Sequence, residues 1–320
     1  MTRNNKALLV AIIIVVAAIA YFKTRETAVT GSSDEKLARM IQFSVDAANA
    51  KNHQAVGLCE SEIKAILAQQ FPEVTRRGLL AAQDIASYGS CCKIIYLLAL
   101  DKIKSSNATA EYIGDRMHSC MEQPLKKLSG DLETAIGRFD LSLKQNTVGL
   151  ARELAQMNPH NQGKTISLPS DLKSSDDINK ALNNLGLGGV TIGISIPLDV
   201  WAVLNANIVK SITAKVAAAA ARMFARPVAA VAAEVTIAAA DGPLPIGDII
   251  AIIGGLWTAY DIYSTQKQFE LEMKKSVENM MPDVQRDIQK QVLDHIHSIL
   301  KEHQRLQDEI RQHSIQEYAK

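Results

Sequence analysis

The chain has 320 residues, 35 Lys+Arg against 34 Asp+Glu, and a formal net charge of +1. That balance argues against a nucleic-acid partner, which calls for a basic surface to displace phosphate counterions. Hydrophobic residues make up 47% and aromatic residues only 5%, so the apolar content is largely Ala, Leu, Ile and Val, and no stretch alternates with period 2. Ala and Leu are good helix formers. The predicted fold class is therefore all-α, with an N-terminal transmembrane or signal segment, a long-helix bundle of eleven-residue periodicity and an apolar helical hairpin.

Residues 1–25 form the first part. Met1 to Lys6 is basic, and Ala7 to Phe22 is an uncharged apolar run through Ile13 and Ala20. As a helix the run spans ~24 Å, slightly short of a hydrocarbon core of ~30 Å. Two readings stay open. Ala18-Ile19-Ala20 fits a small-x-small cleavage site and a cleaved signal peptide. Lys23 and Arg25, directly after the run, favour an uncleaved signal anchor. Both address the chain to a membrane. The α-amine, Arg3 and Lys6 outweigh Lys23 and Arg25, which Glu26 partly offsets. The positive-inside rule then places the N-terminus in the cytoplasm and the body in the periplasm or outside the cell. A cleaved and secreted chain is the alternative.

Residues 26–157 read as a helical bundle. Ser32 and Glu35 look like a capping box that opens a helix through Leu37, Ile41 and Val45 to Phe71, with a break near Gly57. Pro72 starts the next segment, which ends near Lys104, and Ser105-Ser106-Asn107 is a turn. In the following segment, 109–157, Met117, Leu128, Phe139 and Leu150 are spaced by eleven. Met121, Leu132, Leu143 and Leu154 form a second such series, and Leu125 and Ile136 begin a third. Eleven residues in three turns favours straight or slightly right-handed packing. Pro124 should kink this helix or start a new one.

This part also holds the chain's four cysteines, Cys59, Cys91, Cys92 and Cys120. They make no CxxC pair and have no His at zinc spacing, so a metal site is not expected. An even count in an oxidising compartment fits disulfides between neighbouring helices, such as Cys59 to one of the adjacent pair and Cys120 to the other. Four buried thiols are the alternative.

Residues 158–177 are polar, rich in turn formers and read as a linker. Residues 178–260 follow as a Gly/Ala-rich apolar region. Its opening Gly186-Leu187-Gly188-Gly189 lacks the rest of any phosphate-loop pattern. Residues 228–260 read as a helical hairpin, with Val231 on one arm, Ile252, Gly254 and Gly255 on the other, and Asp241-Gly242-Pro243-Leu244-Pro245 at the tip. Glu234, Asp241 and Asp248 lie within or at the ends of the arms. Ionisable groups at membrane depth are costly and face a partner or water. The hairpin is therefore read either as a membrane-active element or as the buried core of a soluble bundle.

Residues 261–320 read as a long polar helical segment. Val277, Ile288, Ile299 and Ile310 are again spaced by eleven. Met273, Val284 and Leu306 share a second series with His295, and Met281 and Val292 a third that reaches His303. Pro282 marks a kink or a helix start. Two long segments of one period are natural packing partners within a chain or between chains, so self-association or a helical protein partner is expected. His295, His297 and His303 read as packing residues whose charging near pH 6 would loosen the interface. No nucleophile-base grouping or metalloprotease motif stands out. No catalytic residue, metal site or cofactor is expected, and the chain is not read as an enzyme.

The order of parts, 33–157, then 186–260, then 261–320, resembles the helical-bundle pore-forming toxins of the cytolysin A and haemolysin BL type. The Ala/Gly/Ile hairpin is also similar to that of pore-forming colicins. The resemblance lies in layout and rests on no residue motif. It implies long helices flanking an apolar element that enters a membrane. The expected function is that of a membrane-associated helical protein of the cell envelope with a pore-forming or membrane-perturbing hairpin. A membrane-anchored scaffold assembling through its long helices is the alternative.

Overall fold

The computed structural model describes residues 33–157, 198–226, 228–229 and 259–318, together with Asn179, Lys180 and Asn183. Among these residues the fold is all-α, with no strand. Helix α1 is Ser33–Ile85, α2 is Tyr88–Lys104 and α3 is Ala108–Met157. Helix α4 begins at Val200–Leu204, widens into a π-helical stretch over Asn205–Lys210 and continues over Ser211–Met223. Helix α5 is Ala259–Tyr318. No helix among the described residues is long and apolar enough to cross a membrane. The N-terminal run, including Ala7, Ile13, Ala20 and Phe22, lies outside the described residues, as do the linker 158–177 and most of the apolar region.

The chain divides into two compact units that draw on separated stretches of sequence. Described residues of the first are 33–57, 138–157 and 297–318; those of the second are 58–137, 198–229 and 259–296.

The first unit closes around Ile41, Val45 and Ala48 of α1, Leu150, Ala151 and Leu154 of α3, and Leu306 and Ile310 of α5, all buried. Ile41, Val45 and Ala48 are spaced by four and three residues, Leu150 and Ala151 lie four and three before Leu154, and Leu306 lies four before Ile310, which puts one stripe of every helix on a shared core. Arg311 Nη1 donates to Gln42 Oε1 at 2.9 Å across the edge of this core.

In the second unit, one layer is marked by Gly78 of α1. A Cβ there would meet Val277 of α5 at 3.4 Å, Met121 of α3 at 3.6 Å and Ile212 of α4 at 3.8 Å. The absent side chain lets three neighbours converge on α1. The turn from α2 to α3 is made by Ser105 in the left-handed conformation, φ 52°, and by the Asp101 carboxylate. That carboxylate accepts from Ser106 Oγ at 2.5 Å, Ala108 N at 2.8 Å and Thr109 N at 3.0 Å. It thus satisfies the orphan donors at the start of α3. Burial would raise the Asp101 carboxyl, but these hydrogen bonds outweigh it and hold it below the usual range.

The sequence reads Pro72 as a helix start and Pro124 and Pro282 as kinks or starts, but no helix starts anew at any of the three. Pro72, Pro124 and Pro282 each lie inside a continuous helix, and no break occurs at Gly57. Removing one helical hydrogen bond costs ~3 kcal/mol or more, and burial of the stripe on both sides of each proline offsets it. The three prolines also share a level. From the Gly78 layer, Pro72 is six residues back, Pro124 three residues on from Met121, and Pro282 five on from Val277. Helix α1 runs antiparallel to α3 and to α5 here, because Gln70 also bonds Asp131 and because Pro72 and Pro282 line one groove. The prolines therefore lie on one side of that layer, within ~5 Å of each other along the helix axes.

Every residue of the eleven-spaced series in α3 is buried, among them Met117, Leu128, Leu132 and Phe139, as are Val277, Ile288, Ile299 and Ile310 of α5. Helix α1 carries the same period in Ile41, Asn52, Ile63, Val74 and Ile85, none more than 1% exposed.

Candidate functional site

The described residues nearest the apolar region are the end of α4 and the start of α5. Asp199 caps α4 by accepting from Ala202 N at 2.8 Å, and Trp201 meets His118 of α3 edge-on, ring centroids 6.0 Å apart. The helix then runs through a buried stripe of Ile208, Ile212, Val216 and Ala220 to Phe224. Phe224 packs edge-to-face on Phe269 of α5, centroids 5.0 Å apart, and both rings are buried. Such a pair adds ~0.5–1.5 kcal/mol beyond the area it buries. One turn outward, Arg222 donates to Glu272 at 2.6 Å. This exposed pair fixes geometry more than stability. The helix ending near Phe224 and the helix through Phe269 are thus clasped side by side, at a junction termed the neck.

The residues expected to act in the hairpin lie beyond this neck. Val231, Glu234, Asp241, Gly242, Pro243, Pro245, Asp248, Ile252, Gly254 and Gly255 fall outside the described residues.

In the first unit a polar layer crosses the core. His303 of α5 and Asn52 and Thr147 of α1 and α3 are all buried. Asn146 Nδ2 donates to Asn52 Oδ1 at 3.0 Å. Thr147 Oγ1 donates its one proton to Leu143 O at 3.0 Å, so His303 Nδ1, 3.2 Å away, is the donor to Thr147. His303 Nε2 then faces Asp140 Oδ1 at 3.6 Å, and the other Asp140 oxygen takes Lys144 Nζ at 2.6 Å. Burial would raise the Asp140 carboxyl, but His303 and Lys144 outweigh it and hold it below the usual carboxylate range. His303 is thus held between the Thr147 hydroxyl and the Asp140 carboxylate. One turn on, Gln307 is fully buried, and neither amide atom has a hydrogen-bond partner among the described residues. The other two histidines differ: His295 is half-buried and His297 exposed. No cluster of three or more His, Cys, Asp or Glu suited to a metal occurs among the described residues.

The expected disulfides are corrected by the geometry. Cys59, Cys91, Cys92 and Cys120 form no disulfide with one another. Cys59 points at Ala135 O of α3, at 3.9 Å, and Cys91 at Ala86 O, at 3.5 Å. Adjacent Cys91 and Cys92 are held by one helix, and each faces its own helical neighbours rather than another sulfur. Burial, reinforced by Cys92, pushes the Cys91 thiol up to about 12, which makes it a packing residue rather than a nucleophile.

An open groove of about 410 Å³ lies between α1 and α5, lined by Phe71, Pro72, Thr75, Met281 and Pro282 among others. Glu278 is its only ionisable lining residue, so it offers no acid-base pair. Together these features define, among the described residues, an all-helical protein in which α4 and α5 are clasped at Phe224 and Phe269. No protein-family model, curated protein or solved structure matches the chain.

Proposed function

We propose that the chain is a membrane-associated protein of the cell envelope that inserts its apolar residues 228–260 into a lipid membrane as a helical hairpin. The neck carries this reading. Phe224 on Phe269 and Arg222 on Glu272 bring together the two ends of the apolar region, as a hairpin requires. From Val228 to Thr258 that region holds Glu234, Asp241 and Asp248 as its only ionisable residues. The layout similar to helical-bundle pore-forming toxins supports the same reading. The apolar run Ala7 to Phe22 supports an anchor or signal that leaves the N-terminus cytoplasmic and the body periplasmic or extracellular, or secreted if it is cleaved.

The carboxylates make the proposal testable. Ionised, each opposes entry by ~2.5–3.5 kcal/mol at the bilayer centre and by less near the interface. Protonation removes that cost. Leakage of dye from liposomes should rise on acidification from about pH 7.5 to about pH 5, and Glu234→Gln with Asp248→Asn should leak at the higher pH already. Were the apolar region the core of a soluble bundle, the same substitutions would lower stability and release no dye.

A second reading, an anchored scaffold that assembles through its long helices, is favoured by one surface observation. Met40 and Phe43, one turn apart on α1, are 48% and 44% exposed. Sedimentation of the double variant Met40→Lys, Phe43→Lys tests it, since a scaffold built on this face would dissociate.

A further inference from the structure

The exposed face of α4 has an unusual composition. Its solvent-facing positions, with those that continue them just past its end, are Ala202, Ala206, Lys210, Ala214, Lys215, Ala218, Ala221, Arg222, Ala225, Arg226 and Ala229. Every one that is not alanine is a cation. Asp199, in the cap, is the only anion on the element, and its carboxylate is engaged by Ala202 N. Glu272 of α5 faces Arg222 and neutralises it. No ion pair or hydrogen bond to Lys210, Lys215 or Arg226 occurs among the described residues, so among these the face carries three uncompensated cations. From Lys210 to Arg226 the strip is ~24 Å long, in a chain whose net charge is only +1. The local charge is a property of this face, not of the composition.

Its position gives it meaning. Arg226 precedes Val228, where the predicted hairpin begins, and the neck lies beside that junction. We propose that this face of α4 is a docking surface for anionic phospholipid headgroups. The inference rests on the reading that residues 228–260 enter a membrane, and it adds the lipid class. Short alanines between the cations let the helix lie close to the headgroup plane, while the lysine and arginine stems reach along it. Each such cation strengthens binding to an anionic surface roughly fivefold, and the attraction fades within a Debye length of ~8 Å at physiological salt.

The test compares the full-length chain with Lys210→Glu, Lys215→Glu, Arg226→Glu, leaving Arg222 to hold the neck. Binding is read by flotation with vesicles of phosphatidylcholine alone and of phosphatidylcholine with phosphatidylserine. The N-terminal run is common to both proteins, so the readout is the ratio of the two affinities. Wild type should favour the anionic vesicles, losing that preference in high salt. The triple variant should lose it by roughly 100-fold or more, given about fivefold for each cation removed. Lys210→Ala, Lys215→Ala, Arg226→Ala extends the alanine face already present and should lose it in the same direction, which guards against misfolding. An equal anionic preference in wild type and the alanine variant would overturn the proposal, as would a wild type with none. Anionic preference without dye leakage would retain this surface and discard insertion; leakage without anionic preference would do the reverse.

Discussion

Ile288→Asp should abolish cooperative folding of the second unit. Ile288 is fully buried in α5, on the eleven-spaced series with Val277. Losing a large aliphatic side chain from a packed core costs ~2–5 kcal/mol. An unpaired carboxylate in its place adds several more, because the charge has no partner and little water. Together these approach or exceed the ~5–15 kcal/mol that keeps an ordinary domain folded. Far-UV circular dichroism should show a broad, early melt or none. Leu132→Asp, on the matching series of α3 and equally buried, should do the same. Leu271 is the control: it is on α5 too but 68% exposed, and Leu271→Asp should change stability by no more than ~0.5 kcal/mol. Unchanged melting of Ile288→Asp would mean that the stripes are not the core.

Asp140→Asn should destabilise the first unit by ~2–4 kcal/mol, because breaking a buried charge network strands the groups left behind. Lys144 and His303 keep 13% and 3% of their side-chain surface, so neither side chain reaches water freely once the carboxylate is gone. The acid dependence has a definite sign. A carboxyl held below its ordinary value of 3.8 stabilises the fold above that value. The contribution fades as pH falls through the lower, folded-state value. Urea titrations of wild type should therefore show a loss between neutral pH and about pH 3 that is smaller in Asp140→Asn. Equal acid sensitivity in the two proteins would remove Asp140 from the account.

Much of the architecture is legible in the residues. The all-α class follows from Ala and Leu content without period-2 stretches, and the buried face of α3 can be read from Met117, Leu128, Phe139 and Leu150. The same period in α1 escapes a search for apolar residues because Asn52 and Gly78 occupy stripe positions. Asn52 fits there by bonding Asn146, and Gly78 because three side chains converge on it. Neither condition is visible along one helix. Pro72 reads as a helix start for a related reason: local propensity disfavours it inside a helix, and tertiary burial of both flanks decides. The thiols show the limit of counting, since an even number of cysteines says nothing of which way each one faces. The neck was also hidden, because Phe224 and Phe269 are distant in sequence and neither lies on an eleven-spaced series.

Residues 228–260 contain Trp257, and the chain's only other tryptophan is Trp201. Trp201→Phe therefore leaves a single fluorophore inside the apolar region. The full-length variant, added to vesicles containing brominated lipid, tests insertion most directly. The account predicts quenching of Trp257 that deepens from about pH 7.5 to about pH 5, as protonation removes the cost of carrying Glu234 and Asp248 into lipid. Unquenched Trp257 at both values, in protein that remains bound to the vesicles, would contradict it.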